Sequence, residues 1–140
     1  MIRKVAHVGI AVKELEERVP FYRDVLGLTF KGYEDLPARG LRLAVFDAGG
    51  VHIELLQGTT PEATISKFIE QRGEGIHHLA FDVDDAGKTL AHLAGKGIRA
   101  LDPVPREGAG GAKIAFLDPR DTGRVLLELC EKGRAGKTRK

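Results

Sequence analysis

Short apolar runs recur along the chain at spacings that repeat. HVGIAV (7–12) is followed by Leu15, Val19, Tyr22 and Leu26 at i, i+4, i+7 and i+11, which predicts one apolar face of a helix. Gly27 then reads as its stop. RLAVFD (42–47) and VHIELL (51–56) are short, rich in Val, Ile and Leu, and separated by AGG, a hairpin signal. The second half passes the same landmarks in order: HLAFDV (78–83), a helical pattern through Ala86, Leu90 and Leu93, a stop at Gly97, then KIAFLD (113–118) and VLLELC (125–130). His7 stands 20 residues before Gly27, and His78 stands 19 before Gly97. His7 stands 47 residues before Glu54, and His78 stands 50 before Glu128. Because order and spacing both persist, the chain reads as a duplicated module of strand, helix and three strands.

The predicted class is therefore α+β, two βαβββ modules sharing a curved mixed sheet. The first module occupies residues 1–68 with the start of a linker helix, and the second 69–131. A basic tail covers 132–140, and the whole forms one structural domain. Pro20 lies inside the first helical pattern, where it removes a hydrogen bond and should kink or delay the helix. In the linker, Thr60-Pro61 reads as a cap followed by proline at the first helical position, with Ile65, Phe68 and Ile69 as the apolar face. EGAGGA (107–112) is glycine-rich, but it lacks the strand-to-helix setting and the Lys-Ser/Thr of a nucleotide phosphate loop.

Composition narrows the class. The 140 residues are 42% hydrophobic and 30% charged, figures of a soluble globular chain with a real core. No apolar stretch approaches the ~20 residues of a membrane span. MIRKVAHVGIAV lacks the long apolar segment and cleavage site of a secretory signal. A single cysteine, Cys130, excludes an intrachain disulfide and predicts a reducing, cytoplasmic setting. The net charge is +2, yet residues 131–140 alone carry +4, so the rest carries −2. The basic tail reads as a solvated, disordered terminus, and neither nucleic acid nor membrane is an expected partner.

Four polar residues interrupt the apolar strands. By alternation His7 shares its face with Val5, Gly9 and Ala11, His78 with Ala80, and Glu128 with Leu126 and Cys130, while Glu54 lies between His52 and Leu56. The small residues beside both histidines leave room for a cavity. A carboxylate on a shielded face is costly unless a positive partner neutralises it. A divalent metal would supply that charge and would account for two His and two Glu at equivalent points of two repeats. Such a donor set suits Co²⁺, Zn²⁺, Ni²⁺ or Mn²⁺. The alternative is that Glu54 and Glu128 line a wet face and the histidines are hydrogen-bonded strand starters. His77 points away from His78, and His52 and His92 lack repeat partners and read as surface or rim residues.

VAHVGIAVKELEERVPFYRDVLGL, GVHIELLQ, ISKFIEQRGEGIHHLAFDVDD and KIAFLDPRDTGRVLLELC resemble the vicinal oxygen chelate (glyoxalase/bleomycin resistance) superfamily, and within it the methylmalonyl-CoA epimerase family, over about residues 3–131. The resemblance implies that fold, with His7, Glu54, His78 and Glu128 as metal ligands and Co²⁺ as the foremost ion. It implies interconversion of (2R)- and (2S)-methylmalonyl-CoA by α-proton abstraction through a metal-stabilised enolate. Glu128 is the first candidate base and Glu54 its opposite number. An acyl-CoA substrate and a homodimer follow from the same likeness. CoA phosphates would find Arg39, Arg42, Lys113, Arg120 or Arg124. There are departures: Leu43 stands where some epimerases carry an additional glutamate, Asp118 where histidine is expected before the proline, and Arg124 where glycine is expected. Glyoxalase I is the alternative, but its arginine four residues after the first histidine is here Ala11. An extradiol dioxygenase would leave the place of Glu54 free, and a metal-free drug-binding member would need none of the four.

Overall fold

The computed structural model describes residues 1–133; of the expected basic tail, 134–140 lie outside the described residues. Among the described residues, eight strands and short helices make the class α+β, as expected. Two compact units divide the chain, His7–His77 on one hand and Met1–Ala6 with His78 onward on the other.

In the unit His7–His77, the second half of β1 (Ile2–Ala11) runs parallel to β4 (His52–Gly58), with Gly9 opposite Glu54. β4 pairs antiparallel with β3 (Leu41–Asp47), and β3 with β2 (Thr29–Leu36). One face of these strands packs on the helical segment, where Val12, Leu15, Val19, Ala44, Phe46 and Leu55 form the core. The other face carries His7, Gly9, Leu43, Val45, Glu54 and Leu56, all buried.

The predicted helix forms but does not keep one period. α1 (Leu15–Pro20) passes into a π turn, Phe21–Val25, closed by the Leu26 N–H to the Phe21 carbonyl at 3.0 Å. Pro20 has no N–H to donate and its ring crowds the preceding turn, so a wider turn follows it. The extra residue shifts the phase. Leu15, Val19 and Tyr22 face the core, whereas Leu26 is 53% exposed and Leu28 takes its place. Gly27 adopts φ +76°, the left-handed stop.

The linker also departs from expectation. Thr60-Pro61 does not start the helix; α2 runs Thr64–Arg72. Ala63 N–H donates to the Thr60 carbonyl at 3.2 Å, so Pro61 sits at the second position of a turn, which its fixed φ favours equally well. Ile65 is nevertheless the buried anchor of α2.

The other unit repeats the pattern. β5 (Gly75–Val83) contributes its residues from His78 on and runs parallel to β8 (Leu127–Glu131), with Ala80 opposite Glu128. β8 pairs antiparallel with β7 (Lys113–Phe116), and β7 with the two-residue β6 (Arg106–Glu107). Parallel, antiparallel, antiparallel is thus the order in both units. α3 (Ala86–Gly95) is capped by Asp85, whose side chain accepts from the Lys88 N–H at 2.9 Å. It ends in paired bonds from Gly97 and Ile98 N–H to the Ala94 and Leu93 carbonyls. α3 covers Val83, Ala115, Leu117 and Leu129. The opposite face carries Ile114, Phe116 and Cys130 in a second apolar cluster.

Candidate active site

Strand alternation places His7 and Glu54 on one face of the unit His7–His77, and both are buried, at 7% and 5% exposure. His7 Nδ1 lies 3.5 Å from Glu54 Oε2. In the other unit, His78 and Glu128 are buried at 6% and 4%, with His78 Nε2 3.1 Å from Glu128 Oε1. The strands that hold each pair are neighbours in parallel register, so backbone hydrogen bonds fix both partners. Neither glutamate lines a wet face, contrary to the alternative left open by the sequence.

The donor chemistry fits a divalent ion. Two ligand atoms about 2.1 Å from one ion, at right or tetrahedral angles, stand about 3.0–3.4 Å apart. Each pair falls near that separation, and each supplies one borderline nitrogen and one hard oxygen. A carboxylate held at this depth calls for a cationic partner.

Surrounding residues differ between the pairs. Val45 is the register partner of Glu54, and Leu43 lies two residues along on the same buried face. Phe116 is the register partner of Glu128, and its ring meets the His78 imidazole edge-on, 5.4 Å between centroids at 90°. Phe116 was not singled out from the sequence, nor was Asp82, 6% exposed, with Lys132 Nζ 3.6 Å from its Oδ2. Asp82 stands four residues after His78 in the same strand, a spacing the alternation rule could have flagged. His77 packs on the other side, edge-on to Phe68 of α2 at 5.0 Å. His52 is half-buried opposite His7, and His92 is exposed.

The expected cations sort unevenly. Arg120 folds onto Asp118, Nη2 to Oδ2 at 2.6 Å, and holds that carboxyl below the ordinary carboxylate range. Arg99, which was not among those expected, clamps Asp121 through Nε and Nη2, each at 2.9 Å, and depresses its pKa strongly. Arg42 lies over the Tyr33 ring at 4.4 Å with Asp35 at 3.6 Å. Arg39 ends a short 3₁₀ turn, and Lys113 is exposed at the start of β7. Arg124 is exposed and adopts φ +71°, a conformation that favours glycine.

Known proteins carry the same framework. Residues 4–129 match the Glyoxalase/Bleomycin resistance protein/Dioxygenase superfamily. The chain is 38% identical over 130 residues to the uncharacterized protein YqjC of Bacillus subtilis, covering 93% of each. It is 35% identical over 127 residues to the mitochondrial methylmalonyl-CoA epimerase of Mus musculus, covering 90% of this chain and 71% of that one. A solved structure of Streptomyces coelicolor methylmalonyl-CoA epimerase, in complex with 2-nitronate-propionyl-CoA, superposes with a TM-score of 0.90 at 33% identity, covering 96% and 98% of the two chains. With its repeated strand order and its family match over nearly the whole described length, the chain belongs to the glyoxalase/bleomycin resistance/dioxygenase superfamily, with methylmalonyl-CoA epimerases among its relatives.

Proposed function

We propose that the chain interconverts the (2R) and (2S) epimers of methylmalonyl-CoA. The carrying observation is a buried His–Glu pair at matching points of both repeats, in a chain 35% identical to a methylmalonyl-CoA epimerase. His7, Glu54, His78 and Glu128 are assigned as ligands of one divalent ion. Co²⁺ is the first expectation, with Zn²⁺, Ni²⁺ or Mn²⁺ as alternatives. When bound, the ion supplies Lewis-acid stabilisation of the charge that develops on the thioester oxygen.

The protein's own groups handle the proton. Glu128 takes the C2 proton on one face, leaving the C–H electron pair in the enolate, and Glu54, in its protonated form, gives a proton back to C2 on the opposite face. His78 steadies Glu128 at 3.1 Å, and Phe116 limits rotation of the imidazole. Ile114, Phe116 and Cys130 in one unit, and Leu43, Val45 and Leu56 in the other, line the face of each pair with apolar groups that keep water away. Low local polarity strengthens every charge interaction made there.

Incubation of metal-loaded protein with one epimer in D₂O tests the reading. Deuterium should enter C2 as the epimers equilibrate, and a Glu128→Gln variant should lose the exchange. No exchange at full metal occupancy would refute the activity. A parallel methylglyoxal–glutathione assay tests the glyoxalase alternative, for which wholly buried Ala11 provides no cation. We further propose a homodimer, built on the sheet edges β2 or β6, to be read by sedimentation. A cytoplasmic location is proposed from the lone reduced Cys130. No helix among the described residues is long and apolar enough to cross a membrane.

A further inference from the structure

The register of the second unit places one guanidinium on the functional face. Ala80 opposes Glu128, Phe116 opposes Glu128, Ile114 opposes Cys130, and Arg106 opposes Ile114. Register partners share a face, so His78, Glu128, Phe116, Ile114 and Arg106 all lie on the same side of the sheet. Arg106 belongs to β6, whose two residues carry no readable period, and the sequence gives it no distinction.

Its side chain is held at the base and uncommitted at the tip. Nε donates to Asp102 Oδ1 at 2.9 Å, and Asp102 Oδ2 accepts the Phe116 backbone N–H at 2.8 Å. The guanidinium carbon lies 5.8 Å from the Phe116 ring centroid. Phe116 therefore stands against Arg106 as well as against His78. The two terminal amino groups of Arg106 have no hydrogen-bond partner among the described residues, and the side chain is 41% exposed. The neighbouring arginines Arg99 and Arg120 are instead neutralised by Asp121 and Asp118.

We propose that Arg106 binds a phosphate of the CoA portion of the substrate. This inference rests on the reading of the His78–Glu128 pair as part of an acyl-CoA site. β6 lies three strands from β5 and two from β8, roughly 14 and 10 Å at ordinary strand spacing. That spacing sets the Arg106 backbone apart from the His78–Glu128 pair, while its guanidinium, beside the Phe116 ring, stays on the same face. A planar fork with two open N–H₂ groups matches a phosphate's oxygens, and stacking on Phe116 with Asp102 behind it pre-orders the fork. Ordering the side chain beforehand removes an entropy cost that a flexible surface lysine would still carry.

The test uses full-length protein and two probes. Free CoA is titrated calorimetrically into wild type, Arg106→Gln and Arg106→Lys. Epimerisation is measured with methylmalonyl-CoA and with methylmalonyl-pantetheine, which lacks the nucleotide phosphates. R106Q should weaken CoA binding about tenfold and raise KM for methylmalonyl-CoA by a similar factor, with kcat within twofold. R106K should recover part of the CoA affinity, and KM for the pantetheine thioester should not change in either variant. CoA affinity of R106Q within twofold of wild type overturns the proposal, as does an equal rise in KM for both thioesters. CoA binding that depends on Arg106 without deuterium exchange at C2 would sink the epimerase reading and leave the phosphate site standing. Exchange with unaltered CoA binding would do the reverse.

Discussion

Replacing Glu128 with glutamine separates the metal-binding role proposed for that residue from its place in the fold. The side chain is 4% exposed, and glutamine keeps its shape and a polar atom toward His78 Nε2, now 3.1 Å from Oε1. What changes is the negative charge. Without metal the variant should lose no more than about 1 kcal/mol, because no cavity forms and the imidazole keeps a partner. For 140 residues the unfolding entropy is about 0.3 kcal/mol/K, so 1 kcal/mol corresponds to about 3 °C. Metal at one hundred times its Kd should stabilise wild type by about 2.7 kcal/mol, or about 9 °C. If losing the carboxylate weakens the site about a hundredfold, the same metal concentration stabilises E128Q by only about 0.4 kcal/mol, little more than 1 °C. Thermal melts of both proteins, with and without Co²⁺ or Zn²⁺, read all four numbers without any substrate. An equal metal-induced shift in the two proteins would remove Glu128 from the ligand set, whatever its effect on turnover.

Other substitutions probe the frame around the site. Arg124 is held at φ +71°, where a Cβ costs about 1–2 kcal/mol; R124G should therefore melt about 3 °C or more above R124A, both having lost the same guanidinium. A Cβ at Gly58 would lie 2.0 Å from Ser66 Oγ and 2.9 Å from Ser66 N, so G58A should lower stability by about 1–3 kcal/mol in denaturant titrations. Asp121 has its pKa depressed by the Arg99 side chain, so its stabilisation is complete above the ordinary carboxylate range and fades as pH falls below about 4. Melting curves of D121N between pH 7 and 2.5 should accordingly decline less steeply than those of wild type; identical slopes would discount the Arg99 clamp.

Much of this architecture is legible in the chain because it is written twice. HVGIAV and HLAFDV each combine a period of two with a histidine, and a repeated exception to strand preference is more informative than a single one. The hairpin at AGG and the stops at Gly27 and Gly97 rest on backbone conformations that few residues adopt, and each glycine takes a positive φ there. What failed depended on phase or on alternatives of equal local quality. The stripe ending at Leu26 assumed 3.6 residues per turn throughout, and the π turn after Pro20 broke that assumption. Thr60-Pro61 suits a helix start and a turn alike, and only the packing of Ser66, whose hydroxyl donates to the Thr60 carbonyl at 2.6 Å, decides between them. Phe116, Asp102 and Arg106 escaped notice because their relation is a matter of register between strands, not of spacing along one.

The same comparison explains why the four polar residues stand out as a candidate site before their surroundings are known. Val or Ile at positions 7 and 78, and Leu at 54 and 128, would satisfy strand preference, bury apolar area and remove two buried carboxylates. Each buried pair works against the stability of its own unit, which the helix-packed core on the far side of the sheet must offset. A chain that tolerates this burden once could be carrying an accident of packing. Carrying it at matched positions in two units, each with parallel neighbours fixing the donors 3.5 and 3.1 Å apart, supports the proposal that a bound cation shares the cost. Stability should therefore depend on metal in the native sequence and become independent of it when the pairs are replaced by apolar residues, a dependence that neither packing nor hydrogen bonding alone would produce.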